Sequence, residues 1–199
     1  MNIIEDFKKA LGIMRHPSSV KTPMSMLDAL SFYYGASIIP LIAVIVVGLV
    51  LSFAIGAGLL LLTYLVLPVL ELLVIVPIGI IVDAALYQLF AVRLFKVWHK
   101  PYNNTLTATT FAVFPSIMLL WGYNIPVVGS AFSIVAAIWA FIILIISMAN
   151  MQQVSGLRAF GGLLLTGVII GIIVLLVFLA GIASFGALLH GVSPIGAPI

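Results

Sequence analysis

Long apolar runs alternate with short polar segments along this sequence. The first run covers residues 36–82 with almost no polar interruption. It is too long for one membrane span of about 20 residues and long enough for two, so it predicts a helical hairpin with its turn at residues 63–68. Later apolar runs cover residues 106–122 and 127–149, and a fifth covers about 160–189.

Polar or helix-breaking residues mark the boundaries of these runs. Residues 93–107 and 150–158 are polar and predict two loops, and residues 122–126 predict a tight turn because Gly, Asn and Pro break helices. We therefore expect an all-α fold, a membrane helix bundle of five transmembrane helices. The expected spans are about 36–60, 69–93, 106–122, 127–149 and 160–185, and a tail follows at 191–199.

Prolines and glycines predict irregularities inside the spans. Pro77 lies within the second span, where neighbouring groups must satisfy the carbonyl that it frees, and Pro115 interrupts the third span. The fifth run exceeds one membrane thickness, so it must tilt, bend at its glycines or protrude.

Small residues at intervals of four predict faces on which helices pack closely. Such residues recur on the first and fifth spans, and we expect their faces to contact the bundle, a partner helix or a second copy in a homo-oligomer. They are Gly48, Ser52, Gly56, Gly167 and Gly171.

The segment of residues 1–34 precedes the first span and is rich in charge. Its apolar residues recur at helical spacing and predict a short amphipathic helix, which lies either in the membrane interface or on the protein's own loops. Capping signatures at residues 22–23 and 25–28 predict a second helix that begins before the membrane and continues into the first span. The apolar positions are Ile3, Ile4, Phe7, Leu11 and Met14.

Composition supports a membrane protein. Hydrophobic residues make up 64% of the chain and charged residues 7%, against about 45–50% and about 25% in soluble domains, so polar groups could not cover a water-exposed surface. The absence of cysteine excludes disulfides, thiol nucleophiles and thiolate metal sites.

The basic residues all fall on one side of a five-span layout. By the positive-inside rule that side is cytoplasmic, which places the amino terminus inside and the carboxyl terminus outside a cell membrane. We expect these residues to contact lipid headgroups or a protein partner, with no role for nucleic acid. The candidates are Lys8, Lys9, Arg15, Arg93, Lys96, Lys100 and Arg158.

Asp83 is the most informative polar residue inside a predicted span. It lies ten residues before Arg93, hence about 15 Å deep and near the middle of the hydrocarbon. A carboxylate there must be protonated, paired or in a wet cavity, and Tyr87 lies one turn away on the same face. Two interpretations stay open: a proton or cation relay, or a neutral carboxyl that bonds to a neighbouring helix.

Glu71 is not expected to act together with Asp83. Twelve residues separate the two, which corresponds to about 18 Å along a helix and about 120° around it. Glu71 lies near the outer end of its span, where its carboxylate can extend to water.

No constellation of catalytic or metal-ligating residues is apparent. His16, His99 and His190 are spread over both sides of the membrane, and no serine–histidine or aspartate pair shares a depth. We therefore expect no enzyme activity, no metal and no cofactor.

Residues 105–160 resemble the Yip family of Rab-interacting membrane proteins. The similarity lies in a Thr-rich start of the third span with a mid-span proline, Pro115, in a Pro-x-x-Gly turn at Pro126 and Gly129, and in a polar loop that leads to a Ser-Gly pair. Residues 15–37 are similar to the corresponding segment of prokaryotic members. The resemblance extends over about residues 13–178.

The resemblance implies a non-enzymatic protein with five spans and a cytoplasmic amino terminus. Eukaryotic relatives assist vesicle trafficking and bind prenylated Rab GTPases. This chain lacks their long acidic, Pro/Gly-rich amino-terminal tail, so the resemblance does not extend to Rab binding.

These observations lead to three functional hypotheses. The first is a membrane scaffold or organiser of the Yip type that acts through its cytoplasmic face on lipids or a protein partner. The second is a small ion- or proton-coupled transporter or channel that uses Asp83, with Glu71 in an outer vestibule. The third is an accessory subunit whose glycine faces bind a partner helix.

Overall fold

A computed structural model describes residues 2–55, 65–123, 125 and 128–191, with backbone only for residues 55 and 182–191. All regular secondary structure in this part of the chain is helical. Five helices are long and apolar enough to cross a membrane, which confirms the predicted all-α bundle. The elements are α1 (Ile3–Arg15), α2 (Met26–Ile55), α3 (Leu67–Leu94), α4 (Tyr102–Ala112), α5 (Phe114–Tyr123), α6 (Gly129–Gln152) and α7 (Gly156–Gly191).

The start of α2 follows from a capping interaction. The Ser25 hydroxyl accepts a hydrogen bond from the Asp28 backbone N–H at 3.2 Å and donates one to the Asp28 carboxylate at 2.6 Å. Such caps satisfy donors that the first helical turn leaves free. The helix therefore begins well before the apolar run and continues into it, as predicted.

The second span, α3, contains two π-helical segments, Glu71–Ile75 and Gln88–Leu94. Pro77 cannot donate to the carbonyl of Leu73, four residues earlier. The hydroxyl of Tyr34 donates to that carbonyl at 3.1 Å, and the hydroxyl of Tyr33 donates to the neighbouring carbonyl of Leu72 at 2.5 Å. Helix α2 thus supplies the groups that make the irregular α3 tolerable in a membrane.

The third span, α4 followed by α5, is the central element of the bundle. It contacts both α2 and α6, and α4 also contacts α3. Val113 separates the two halves, because Pro115 has no N–H for the carbonyl of Phe111. The predicted interruption at Pro115 is therefore present.

The predicted loop at 93–107 is wrong in its second half, because α4 already begins at Tyr102. The threonines of α4 bond to carbonyls one turn earlier in the same helix: Thr107 to Asn103, Thr109 to Thr105 and Thr110 to Leu106. A hydroxyl satisfied in this way can be buried inside a helix, so polar composition did not indicate a loop here.

The predicted loop at 150–158 is also too long. Helix α6 continues to Gln152, and α7 begins at Gly156. Helix α6 ends where Gln153 adopts the left-handed conformation, with φ of 55°, and the Val154 N–H caps the carbonyl of Ala149. Gln152 is helical because its side chain has buried partners, described below.

The turn between α5 and α6 requires glycine. A Cβ atom on Gly129 would lie 2.0 Å from the carbonyl oxygen of Tyr123, and one on Gly122 would lie 2.9 Å from the ring of Phe132. Asn124 and Pro126 of the predicted turn lie outside the described residues. So do residues 63 and 64 of the predicted first turn, whereas Leu67 and Pro68 already belong to α3.

The amphipathic helix α1 packs on the membrane bundle itself. It contacts α2, α4 and α5, and it buries Ala10, Ile13 and Met14. The indole N–H of Trp139 on α6 donates to the carbonyl of Met14 at 3.3 Å. Of the two interpretations left open, packing on the protein is therefore observed, although the contacted surface consists of helices instead of loops.

Helix α1 and the start of α2 lie beside the middle of the other spans. The Met24 N–H donates to the hydroxyl of Thr107 at 2.7 Å. Thr107 lies about 8 Å beyond the start of α4, and Trp139, which bonds to α1, lies about 20 Å before the end of α6. The ends of α3 and α6 and the starts of α4 and α7 therefore project beyond α1.

Helix α7 is one continuous helix of 36 residues, about 54 Å long against a hydrocarbon thickness of about 30 Å. Its early part is packed through Ala159, Leu163 and Thr166, whereas all residues from 171 to 181 are exposed. The fifth run therefore does not break at its glycines.

The predicted glycine faces differ in their surroundings. Gly48 and Ser52 are buried, and the Ser52 hydroxyl donates to the carbonyl of Gly48 at 2.7 Å. Added Cβ atoms on Gly167 and Gly171 would meet nothing within 4 Å, so this face has no close neighbour in the part of the chain that the structure describes. Gly56 lies outside that part.

Candidate functional site: a cavity between three spans

A cavity of about 300 Å³ lies between α3, the third span and α6. Helices α4 and α5 form its floor, and α3 and α6 form its two sides. Most of the lining is aliphatic or aromatic, and the polar exceptions come from α3 and the third span. These polar residues are Glu71, Asp83, Tyr87, Thr109, Ser116 and Tyr123.

The cavity brings Glu71 and Asp83 onto one face, which corrects the sequence expectation for Glu71. The Val76 N–H bonds to the carbonyl of Glu71, five residues earlier instead of four. A π turn absorbs one extra residue, so eleven helical steps of 100° separate the two side chains in place of twelve. Their angular offset falls from about 120° to about 20°, while the axial separation stays near 18 Å.

Asp83 and Glu71 have no cationic partner. Within the described residues, neither carboxylate makes a hydrogen bond or an ion pair, and no lysine or arginine lines the cavity. Both residues are exposed although they line the cavity. Tyr87 lines the same cavity, as its one-turn spacing from Asp83 predicted.

A polar cluster closes the bundle at the end of the cavity beyond Asp83. The hydroxyl of Thr105 donates to the side-chain oxygen of Gln88 and accepts from the side-chain amide of Gln152, both at 2.9 Å. Gln152 also accepts from the N–H of Lys100 at 2.9 Å, and Asn104 donates to the carbonyl of Met151 at 2.7 Å. These bonds connect α3, α4 and α6 in one network.

Sequence reasoning missed this cluster. Each member lies at the edge of an apolar run, where a polar residue is ordinarily read as loop or interface. In the five-span layout, Gln88, Thr105 and Gln152 all lie toward the same side of the membrane. This arrangement predicts hydrogen bonds between them only when the three spans are known to be neighbours.

The cluster also shows the level of Asp83 along the bundle. Because Thr105 bonds to Gln88, these two residues lie at one level. Asp83 is five residues before Gln88, and Phe111 is six residues after Thr105, so Asp83 and Phe111 share a level within about 2 Å. Phe111 in turn contacts Phe32, whose ring lies 5.3 Å from the Nζ of Lys9 on α1.

Asp83 is therefore level with α1. Lys8, Lys9 and Arg15 on α1 are exposed. Glu71 lies about 18 Å from Asp83 along α3, on the side away from Gln88.

The basic residues form two tiers. Lys8, Lys9 and Arg15 lie on α1, beside the middle of the other spans. The second tier lies on the projecting helix ends, where the exposed side chains of Leu94 (61%) and Leu157 (81%) accompany it. This tier consists of Arg93, Lys96, Lys100 and Arg158.

A polar groove of about 650 Å³ separates α1 from the chain that leads into α2. It is lined by charges of both signs, Glu5, Asp6, Lys9, Lys21 and Asp28. No group of three His, Asp or Glu side chains within the described residues could hold a metal ion.

No family model, curated protein or solved structure matches this chain. Its function is therefore argued from the cavity and from the two tiers of charge.

Proposed function

We propose that this protein is a non-enzymatic membrane protein that transports protons or other cations, with Asp83 as its central site. The observation that carries this proposal is the cavity that contains both intramembrane carboxylates. Unpaired carboxylates inside a membrane are costly and mark cation pathways. Here two of them share one cavity with three hydroxyl-bearing residues of the third span.

The dimensions of the cavity support passage of a cation. Asp83 and Glu71 lie about 18 Å apart along α3, which is more than half of a hydrocarbon thickness of about 30 Å. On the other side of Asp83, Tyr87 and Thr109 continue the polar lining to the cluster of Gln88 and Thr105. Polar groups therefore line most of the distance between Glu71 and this cluster.

The test is flux into liposomes that contain the purified protein. Proton and sodium entry are followed with fluorescent indicators, and Asp83→Asn is compared with wild type. We expect the substitution to reduce the flux at least tenfold, because it removes the charge and keeps the size of the side chain. The matched control Asp6→Asn, in the groove beside α1, should leave flux unchanged.

The variant Glu71→Gln distinguishes a transport pathway along the whole cavity from a single binding group at Asp83. A pathway through the cavity predicts that this substitution also lowers the flux, although Glu71 lies about 18 Å from Asp83. Flux that is absent from folded wild-type protein, or that persists in Asp83→Asn, would contradict the proposal.

A membrane organiser of the Yip type is the second candidate. The projecting tier favours it, because Leu94 and Leu157 are large apolar side chains exposed beside Arg93, Lys96 and Arg158. Apolar side chains within a basic rim are typical of surfaces that bind protein partners. On α1, Ile4 is exposed one turn from Lys8 and can enter the lipid.

Site-specific photo-crosslinking in cells tests this candidate. A photoreactive amino acid replaces Leu157 in one variant and Val174 in the other, since both positions are exposed and only Leu157 lies on the projecting tier. An organiser predicts a discrete protein adduct at position 157 and lipid adducts alone at 174. The absence of a discrete protein adduct at position 157 would exclude a partner at this surface.

A further inference from the structure

The cavity combines an apolar lining with groups that attract positive charge. Tyr87, Tyr123 and Phe141 contribute aromatic rings, and Asp83 and Glu71 contribute carboxylates. An aromatic ring attracts a cation through the negative potential of its face, and a nearby carboxylate adds a full charge.

The composition of the lining distinguishes between kinds of cation. Hard metal ions need six or more oxygen ligands at short range, whereas most of this lining consists of aliphatic side chains such as Ile80, Ile117 and Leu144. A substituted ammonium ion needs no such shell and is held by aromatic faces and one countercharge. The volume of about 300 Å³ is at the lower end of the range for small-molecule sites.

The accessibility of the cavity favours an amphiphilic ligand. Asp83 and Glu71 line the cavity and are nevertheless exposed, so both carboxylates can be reached from outside the bundle. The described part of α7 contributes no residue to the lining. A cationic head can therefore bind at an exposed carboxylate while an apolar body covers the aliphatic part of the lining.

We propose that the cavity binds an amphiphilic organic ammonium ion. The ammonium lies at Asp83 and Tyr87, and the apolar body extends along Ile80, Ile117 and Leu144 toward Glu71. This inference rests on the proposed transport function, because it names the cation for the same site.

Equilibrium binding of radiolabelled benzyltrimethylammonium to the full chain in nanodiscs of uncharged lipid tests the inference. Neopentylbenzene is added as a neutral control competitor. It has the same shape, with a carbon atom in place of the charged nitrogen. We expect saturable binding that Asp83→Asn weakens about tenfold or more. Asp6→Asn should bind as wild type does.

A second pair of variants examines the aromatic contribution. Tyr87→Phe keeps the ring and should change the affinity less than threefold, whereas Tyr87→Leu should weaken it about fivefold. Far-ultraviolet circular dichroism confirms that each variant is folded.

Three outcomes would overturn the inference: no binding by folded wild-type protein, equal binding by Asp83→Asn, or competition by neopentylbenzene at equal concentration. Binding is measured without any gradient, so its result is independent of flux. Asp83-dependent proton flux without binding leaves the transport proposal in place and refutes the organic cation. Binding without flux leaves the ligand site and refutes transport.

Discussion

The third and fifth spans show opposite relations between polarity and burial. The third span has the lowest mean hydropathy of the five, 1.4, and 72% of its most apolar window is buried. The fifth has the highest, 3.1, and only 11% of its window is buried. In water the apolar helix would be the central one, but lipid gives no hydrophobic reason to bury it.

The comparison teaches that hydrophobicity within this protein reports contact with lipid. Helix α4 is central because Thr105 and Asn104 find partners on other helices that lipid cannot offer. The outer half of α7 satisfies its own backbone and can stand alone among acyl chains.

The largest expected difference in stability is between the loss of a buried leucine and the loss of an exposed one. Leu106 on α4 is 1% exposed, and Leu175 on α7 is 55% exposed. Leu106→Ala leaves a cavity and should destabilise the protein by about 2 kcal/mol or more, whereas Leu175→Ala should stay within about 0.5 kcal/mol. Equilibrium unfolding in mixed micelles with sodium dodecyl sulfate measures both. Equal losses would mean that α7 is packed in the membrane.

A glycine pair tests where α7 leaves the bundle. A Cβ atom on Gly162 would lie 2.7 Å from the ring of Trp98, whereas one on Gly167 would meet nothing within 4 Å. Trp98 is fully buried and cannot yield easily, so Gly162→Ala should cost about 1–3 kcal/mol. Gly167→Ala should be neutral or slightly stabilising in the same unfolding assay. A destabilising Gly167→Ala would reveal a helix packed against that face.

Two threonines distinguish the contribution of hydrogen bonds between spans from that of hydrogen bonds within one helix. Thr105 bonds to two glutamines on other spans, and Thr110 bonds only to Leu106 within α4. Thr105→Val should cost about 1–2 kcal/mol because it removes the hydrogen bonds to the side-chain oxygen of Gln88 and the side-chain nitrogen of Gln152, and Thr110→Val should cost less than about 0.5 kcal/mol. If both variants unfold alike, the cluster does not hold the three spans together.

Much of the architecture was predictable from patterns along the chain. The apolar runs predicted five spans, the capping signature at Ser25 predicted where α2 begins, and Pro115 predicted a break in the third span. Each of these is a local property, decided by residues within a few positions of one another.

The candidate site was less predictable because it depends on neighbours. Asp83 and Tyr87 were assigned to one face correctly, since a regular helix connects them. Glu71 was assigned to a different face, because nothing in the residues around it indicated the π turn at Glu71–Ile75. The hydroxyls of Tyr33 and Tyr34 on α2 donate to two carbonyls of that turn, and these partners are far from it in the sequence.

The sequence alone determined that this protein is a bundle of apolar helices and how many of them are long enough to span a membrane. These properties follow from transfer free energies, which add along the chain and need no knowledge of contacts. Only the tertiary structure decided that the most polar span is central, that α1 is level with Asp83, and that Glu71 and Asp83 share one cavity. In a membrane, burial follows from hydrogen bonds and close packing between helices, and such pairs exist only after the helices have met.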